Sequence, residues 1–280
     1  MFRDIVVPLD GSELAEQALD LADWIAGECD ARLHLVRVHL SQPGQYADEE
    51  RAPRANDERY LESLASPRRA ARRDVRVAVL DGSVALAISD YADRVSADLI
   101  VMTTHGRTGD ERRRLGSVAA VVAHHATCPV MLARADLTGN APFDHIVIAV
   151  DGTEQPEAVT SMALQLGSMG HPAFRIVHTL APARAMELIP AGGGTARPEH
   201  TRAEDHVAGI AGRLRAAGLR AEVLVTVTES PAHAIGAAAR QESAGLIVLP
   251  TRLDAASPTF APSLAEAVLQ QWPSPVLLLK

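Results

Sequence analysis

The sequence predicts an α/β protein made of two repeated domains, each a five-stranded parallel sheet of order 3-2-1-4-5 with helices on both faces. Three observations lead to this. Short runs rich in Val, Ile and Leu alternate with alanine-rich stretches of helical length, the pattern of strands buried between crossover helices. The segment Asp4-Ile-Val-Val-Pro-Leu-Asp10-Gly-Ser12 returns, at a shift of 141, as His145-Ile-Val-Ile-Ala-Val-Asp151-Gly-Thr153. Hydrophobic residues make up 47% of the chain but aromatic ones only 3%, so the core must be built from Ala, Val, Leu and Ile.

In the first copy, strands are expected near 3–9, 32–38, 75–80, 98–103 and 129–133, and helices near 13–28, 55–72, 84–95 and 117–126. The first strand ends at Asp10-Gly11-Ser12, a helix-start signal, and an alanine-rich helical pattern follows. The second strand recurs at 174–179 with the same shift of 141. Residues 40–53 are polar with Pro and Gly and read as a surface excursion before the second helix. The fourth strand, Asp98-Leu-Ile-Val-Met102, is short, apolar and rich in β-formers. After a long loop, Val118-Ala-Ala-Val-Val-Ala123 continues as a helix towards Cys128-Pro129 and the last strand.

The second copy follows the same plan. Ala97-Asp-Leu-Ile-Val-Met102 matches Ala244-Gly-Leu-Ile-Val-Leu249 at a shift of 147, and Ser117 matches Ser263 at a shift of 146. The loop of the second copy is therefore one residue shorter. A period of this length is far too long for a solenoid, so each copy is expected to be a domain. The expected bounds are 1–135 and 143–280, joined by a linker at 136–142. Within 181–198, the run Ala191-Gly-Gly-Gly-Thr195 reads as a mobile linker in preference to an anion cradle, because no strand directly precedes it.

Composition narrows the function. The formal net charge is -8, and neither half is basic: residues 1–140 carry 22 acids against 17 bases, and 141–280 carry 13 against 10. Nucleic acid is not expected as a partner. Cys29 and Cys128, the only cysteines, are too few for a disulfide scaffold or a Cys-rich zinc site and fit a reducing cytoplasm. The chain enters a strand at its first residues and has no apolar run of membrane-crossing length. A soluble, cytoplasmic protein with no membrane partner is the expectation. Lys280 is the only lysine, which excludes a Walker A loop and a Schiff-base enzyme.

The loop from Met102 to Ser117 is the chief candidate site. Gly106 and Gly116 allow close approach of backbone to a ligand, and Gly116-Ser117 sits where the next helix begins, the end that attracts anions. An ordinary strand-to-helix loop capped by Ser117 is the competing reading. In an open α/β sheet, ligands bind beyond the carboxyl ends of the strands where the strand order switches direction. In the order 3-2-1-4-5 that point lies between strands 1 and 4, which places Asp10 beside the loop. Asp10 can accept hydrogen bonds from a ribose or base, or serve as a helix N-cap, or both.

Together, the strand before Asp10-Gly11-Ser12, the 97–102 segment, Gly106 with Gly116-Ser117, and Cys128-Pro-Val130 resemble the universal stress protein family, in its tandem form. The resemblance spans essentially the whole chain. The family signature is Gly, two residues, Gly, nine residues, then Gly followed by Ser or Thr. Here Gly106, Gly116 and Ser117 match, and Thr103 replaces the first glycine. The resemblance implies ATP as ligand, with or without Mg2+. Asp10 and the backbone at Val38 would sit by the adenine and Pro8 near the ribose. Thr103 would lie near the ribose and first phosphate, and Gly106, Gly116, Ser117 and Val118 would meet the phosphates. The second copy keeps Asp151 but has Leu253 and Pro262 in place of the two loop glycines. Leucine adds a side chain and proline removes an N–H donor, so its loop is expected to be degenerate.

Other candidates are weaker. Adjacent His124 and His125 point in different directions on a helix and lack a third metal ligand. His105 and Arg107 are loop residues able to approach a phosphate or to stay solvated, and Arg112, Arg113 and Arg114 beside Asp110-Glu111 read as a solvated charge cluster. No Ser-His-acid spacing or nucleophile elbow appears. Slow hydrolysis of bound ATP is the most catalysis these residues support. The leading expectation is a cytoplasmic, ATP-binding stress-response regulator or adaptor. Its alternatives are a scaffold of the same fold that binds no nucleotide, and a weak ATPase. By resemblance, the two domains pair as an intrachain pseudo-dimer, and chains form a homo-oligomer; the sequence names no protein partner.

Overall fold

Ile5, Val6 and Val7 are fully buried, as are Leu99, Ile100 and Val101; strands apolar at consecutive positions need cover on both faces. The computed structural model supplies that cover. It describes residues 1–39, 47–104, 115–133, 143–150, 152, 156–182, 199–250, 262–272 and 274–280. The chain divides into two units, Met1–Asn140 with Lys280, and Ala141–Leu279.

The first unit runs β1 (Asp4–Pro8), α1 (Glu13–Glu16), α2 (Ala18–Cys29), β2 (Arg32–His39), α3 (Ala47–Ala70), β3 (Val75–Asp81), α4 (Val84–Arg94), β4 (Leu99–Thr103), α5 (Ser117–His125) and β5 (Val130–Ala133). All strand pairs are parallel, in the order β3-β2-β1-β4-β5, as the sequence predicts. His34 and Arg37 show why helices are needed on both faces. Placed an odd number of positions apart on β2, they point to opposite sides: His34 meets Tyr91 of α4 at 3.0 Å, and Arg37 meets Asp57 of α3 at 2.7 Å. On the α3 side, Arg68 of α3 holds Asp23 of α2 at 2.8 Å. Across the sheet, Thr127, just beyond α5, donates to Asp93 of α4.

Two elements differ from expectation. The helix expected over 13–28 is split at Gln17 into α1 and α2. The helix expected from 55 begins at Ala47, which shortens the expected excursion at 40–53. The acidic run Asp48-Glu49-Glu50 suits the first turn of a helix, and the helix continues through Pro53 at the loss of one backbone bond.

Asp98 fixes how β1 meets β4. Its carboxylate accepts from the N–H groups of Arg3 at 2.7 Å and Asp4 at 3.1 Å, while its own N–H donates to the Asp4 carbonyl at 2.9 Å. The two strands then run in register from Ile5 opposite Leu99. At the sheet edge, the Val75 and Val79 carbonyls of β3 accept from Arg69 and Arg54, each at 2.9 Å. Occupied edge carbonyls discourage pairing with another chain.

The second unit runs β6 (His145–Val150), α6 (Pro156–Gly167), β7 (Ala173–Leu180), α7 (Glu199–Ala216), β8 (Arg220–Val227), α8 (Pro231–Glu242), β9 (Leu246–Pro250), α9 (Pro262–Gln271) and β10 (Val276–Leu279). Its strands are also parallel, in the order β8-β7-β6-β9-β10. Arg215 caps the Ala221 carbonyl on edge strand β8 at 2.8 Å, the counterpart in this unit of the Arg69–Val75 contact. Among the described residues, no helix is long and apolar enough to cross a membrane.

Cys29 and Cys128 are both buried, and neither forms a disulfide. Burial pushes the Cys29 thiol up and the Cys128 thiol up to about 11. Because the thiolate is the reactive form, native protein in iodoacetamide at about pH 8 is expected to stay unmodified at both cysteines. Denatured protein should be modified at both, as read by mass spectrometry. Rapid alkylation of either cysteine in the native state contradicts this packing.

Candidate functional site

Pro8 is the buried last residue of β1, and the chain turns immediately beyond it. One oxygen of the half-buried Asp10 carboxylate accepts from the Ser12 N–H at 2.9 Å and from its hydroxyl at 2.6 Å. Ser12 in turn accepts from the Ala15 N–H at 3.1 Å. The helix N-cap is therefore Ser12, and Asp10 orients the cap from just upstream. Gly11 between them lies at φ +84°, in the left-handed region where a side chain is strained.

The opposite wall begins at Thr103, the last residue of β4, which is buried and in register with Ala133. The Thr104 N–H donates to the Ala133 carbonyl at 2.9 Å, and the Thr104 carbonyl accepts from the Gly116 N–H at 2.8 Å. The loop thus returns to its starting point before α5 begins. Gly116 is the N-cap of α5, at φ −60° and ψ 150°, and provides no side-chain cap. Ser117 is the first helical residue and is exposed; Val118 follows it, half-buried. The expectation of a Ser117 cap is corrected, because the capping position belongs to a residue without a side chain. Any residue can adopt this backbone conformation, so what glycine contributes is the absence of a side chain at the capping position, ahead of the first-turn N–H groups. Those groups and the helix dipole form an anion-binding end.

Because β1 and β4 are neighbours, their carboxyl-terminal ends carry Asp10 and Thr103 at the switch point of the sheet. Val38 is half-exposed one residue before the end of β2, opposite Leu80. Of the residues implied by resemblance, Pro8, Asp10, Val38, Thr103, Gly116, Ser117 and Val118 all lie at strand ends, in the turn after β1 or at the start of α5. Gly106, His105, Arg107 and Arg112–Arg114 lie outside the described residues, as do Asp151 and Leu253 of the second copy. In the second unit, α9 opens on Pro262, a residue suited to a helix start but without an N–H to offer.

A family model described as the universal stress protein family matches residues 1–134 and again 142–280. The chain belongs to the universal stress protein family. A universal stress protein of Methanocaldococcus jannaschii is 35% identical over 141 residues, covering 48% of this chain and 83% of that protein. A crystal structure of a universal stress protein from Archaeoglobus fulgidus shares the fold, with a TM-score of 0.77 over 99% of this chain and 98% of that chain at 19% identity. Another from Archaeoglobus fulgidus, solved in complex with dAMP, is 23% identical and covers 50% of this chain and 100% of its own, with a TM-score of 0.37.

Beside these family positions lies a cluster that the motifs do not mark. The Arg37 guanidinium packs against Gly11 so closely that a Cβ there would collide with it. Arg37 also pairs with Asp57 at 2.7 Å and lies 5.0 Å from the centre of the Tyr60 ring. His39 holds the other Asp57 oxygen at 2.7 Å, and the Tyr60 hydroxyl donates to Glu16 at 2.9 Å. Burial, and then Glu16, push the Tyr60 phenol above its ordinary range. An arginine and a histidine at alternate positions near the end of β2, on one face, were the available signal. In the second unit, His178 occupies the position of Arg37 and packs over Gly152, the counterpart of Gly11. Its ring lies 6.1 Å from that of His206, which stands at the position of Tyr60, so two imidazoles replace the guanidinium–ring contact.

His124 and His125 are exposed, with ring centres 5.0 Å apart. No group of three His, Cys, Asp or Glu among the described residues is arranged to hold a metal ion.

Gly11→Ala is expected to lower stability by about 1–2 kcal/mol, from backbone strain in the left-handed region with an added collision at Arg37. In an Arg37→Ala background the loss should shrink to the backbone part. Urea denaturation of the four proteins measures this coupling; equal losses in both backgrounds contradict the contact.

Proposed function

We propose that this chain is an adenine-nucleotide-binding member of its family, with one working site in the first unit, acting as a nucleotide-dependent stress-response regulator or adaptor. The observation that carries the reading is the start of α5: its N-cap is Gly116, no side chain occupies the capping position, and the N–H of Gly116 ties the loop back to β4. Phosphates placed there meet the first-turn N–H groups of Ser117 and Val118 and the positive end of the helix. This chemistry needs no lysine, which agrees with a chain whose single lysine is Lys280.

The remaining contacts follow the resemblance. Asp10, fixed by its two bonds to Ser12, accepts from a base or ribose donor, and the Val38 backbone borders the adenine. Pro8 and Thr103 flank the ribose, and Gly106 belongs with the phosphates. ATP is the proposed ligand; a Mg2+ accompanying it would be held chiefly by the phosphates, since no carboxylate group among the described residues is arranged for a metal. Function through binding, with slow hydrolysis at most, suits a site in which no general base is built among the described residues. In the second unit, Leu253 and Pro262 oppose the same chemistry, which leaves that unit without a nucleotide in this reading.

The test is to denature the purified protein, identify any nucleotide released, and titrate the stripped protein with ATP. Saturable binding below millimolar concentration is expected; no adenine nucleotide bound at millimolar concentration overturns the reading. Gly116→Pro keeps a φ that proline tolerates but deletes the N–H bonded to Thr104, so affinity should fall by about 10-fold or more with the circular dichroism spectrum retained. Unchanged binding would place the site elsewhere.

A further inference from the structure

We propose that the groove between the end of α3 and edge strand β3 is a binding site for a multiply charged phosphate-type oxyanion, separate from the nucleotide site and independent of that reading. Residues 67–76 carry Arg68, Arg69, Arg72, Arg73 and Arg76 against Asp74 alone, in a chain of net charge -8. Arg69, Arg73 and Arg76 line a groove of about 500 Å³ together with Asp74, Val75 and Val77.

The three arginines differ in how the protein uses them. Arg69 is held by the Val75 carbonyl at 2.9 Å and by Glu62 at 2.5 Å. Arg76 is exposed and only loosely paired with Asp74 at 3.6 Å, while Asp74 makes its tighter contact to Arg32 at 2.7 Å. Arg73 is half-buried, and its side chain makes no hydrogen bond or ion pair with any described residue. Its guanidinium lies against α2 at Gly27, where a Cβ would approach it to 2.5 Å. A glycine inside a helix costs about 1 kcal/mol relative to alanine. Here it makes room for a cation whose N–H donors no described protein acceptor uses.

The second unit shows that packing alone does not require this charge. Leu219, which stands at the position of Arg73 in the repeat, lies against the last turn of α6 at Gly167, where a Cβ would approach it to 2.5 Å. Glu222 stands at the position of Arg76 and Arg220 at that of Asp74. The repeat therefore fills the same corner with an apolar side chain and a different set of charges. What Arg73 and Arg76 add in the first unit is one guanidinium without a described partner and one held only by a 3.6 Å ion pair to Asp74, both over a groove wide enough for an oxyanion, the geometry that forked N–H donors recognise.

The experiment titrates the full chain with sodium pyrophosphate by isothermal calorimetry, alongside Arg73→Gln, Arg76→Gln and Arg72→Gln. Arg72 carries the same charge in the same segment but does not line the groove. Saturable binding that weakens about 10-fold in Arg73→Gln and in Arg76→Gln, but less than about 2-fold in Arg72→Gln, supports the site. All titrations are run in a Gly116→Pro background, which disables the phosphate contacts of the nucleotide loop, so that the pyrophosphate response reports the groove alone. Equal losses in all three arginine variants would show a diffuse charge effect and overturn the proposal, as would no saturable binding below about 5 mM. Vesicles containing phosphatidic acid form a second arm; flotation of the protein with them, without a pyrophosphate response, also overturns a site for the soluble anion.

Discussion

A single backbone hydrogen bond, from the Gly116 N–H to the Thr104 carbonyl at 2.8 Å, decides where the first unit presents its helix end. It brings the chain back to the tip of β4 after residues 105–115, and α5 can then start only beside that strand. The neighbouring strand is already set, because the Asp98 carboxylate clamps the beginning of β1 to the beginning of β4. From those two constraints the turn at Asp10 and the N-terminus of α5 emerge at the same edge of the sheet. The proposed nucleotide site is a consequence of this pinning, and its glycine N-cap carries no side chain.

Much of this was legible in the residues. Consecutive Val, Ile and Leu in β1 and β4 announced buried parallel strands, and the return of the Asp10-Gly-Ser segment as Asp151-Gly-Thr announced two copies. What local pattern could not show was which residue does the capping. Asp10, Ser12 and Ser117 all have capping chemistry, and the choice among them depends on where each helix begins, which is set by tertiary contacts. The early start of α3 was hidden for a related reason: Pro53 looks like a boundary, yet the acidic residues before it belong to the helix. Arg37 and His39 were readable as an alternation on β2, but their common partner, Asp57, lies on another element.

The two units together work as an internal comparison. They keep the same strand order, the same arginine on the edge carbonyl, and a side chain packed over the glycine that follows the first strand. They differ at Gly116 against Pro262, Arg37 against His178 and Arg73 against Leu219, of which the first and last border the two proposed sites. That contrast supports placing ligand chemistry in the first unit.

The count of adenine nucleotides bound per chain tests this account most directly. Equilibrium dialysis of stripped protein against saturating ATP should give one nucleotide per chain, since one unit begins its helix behind a glycine cap and the other on proline. Two per chain, or none, would contradict it.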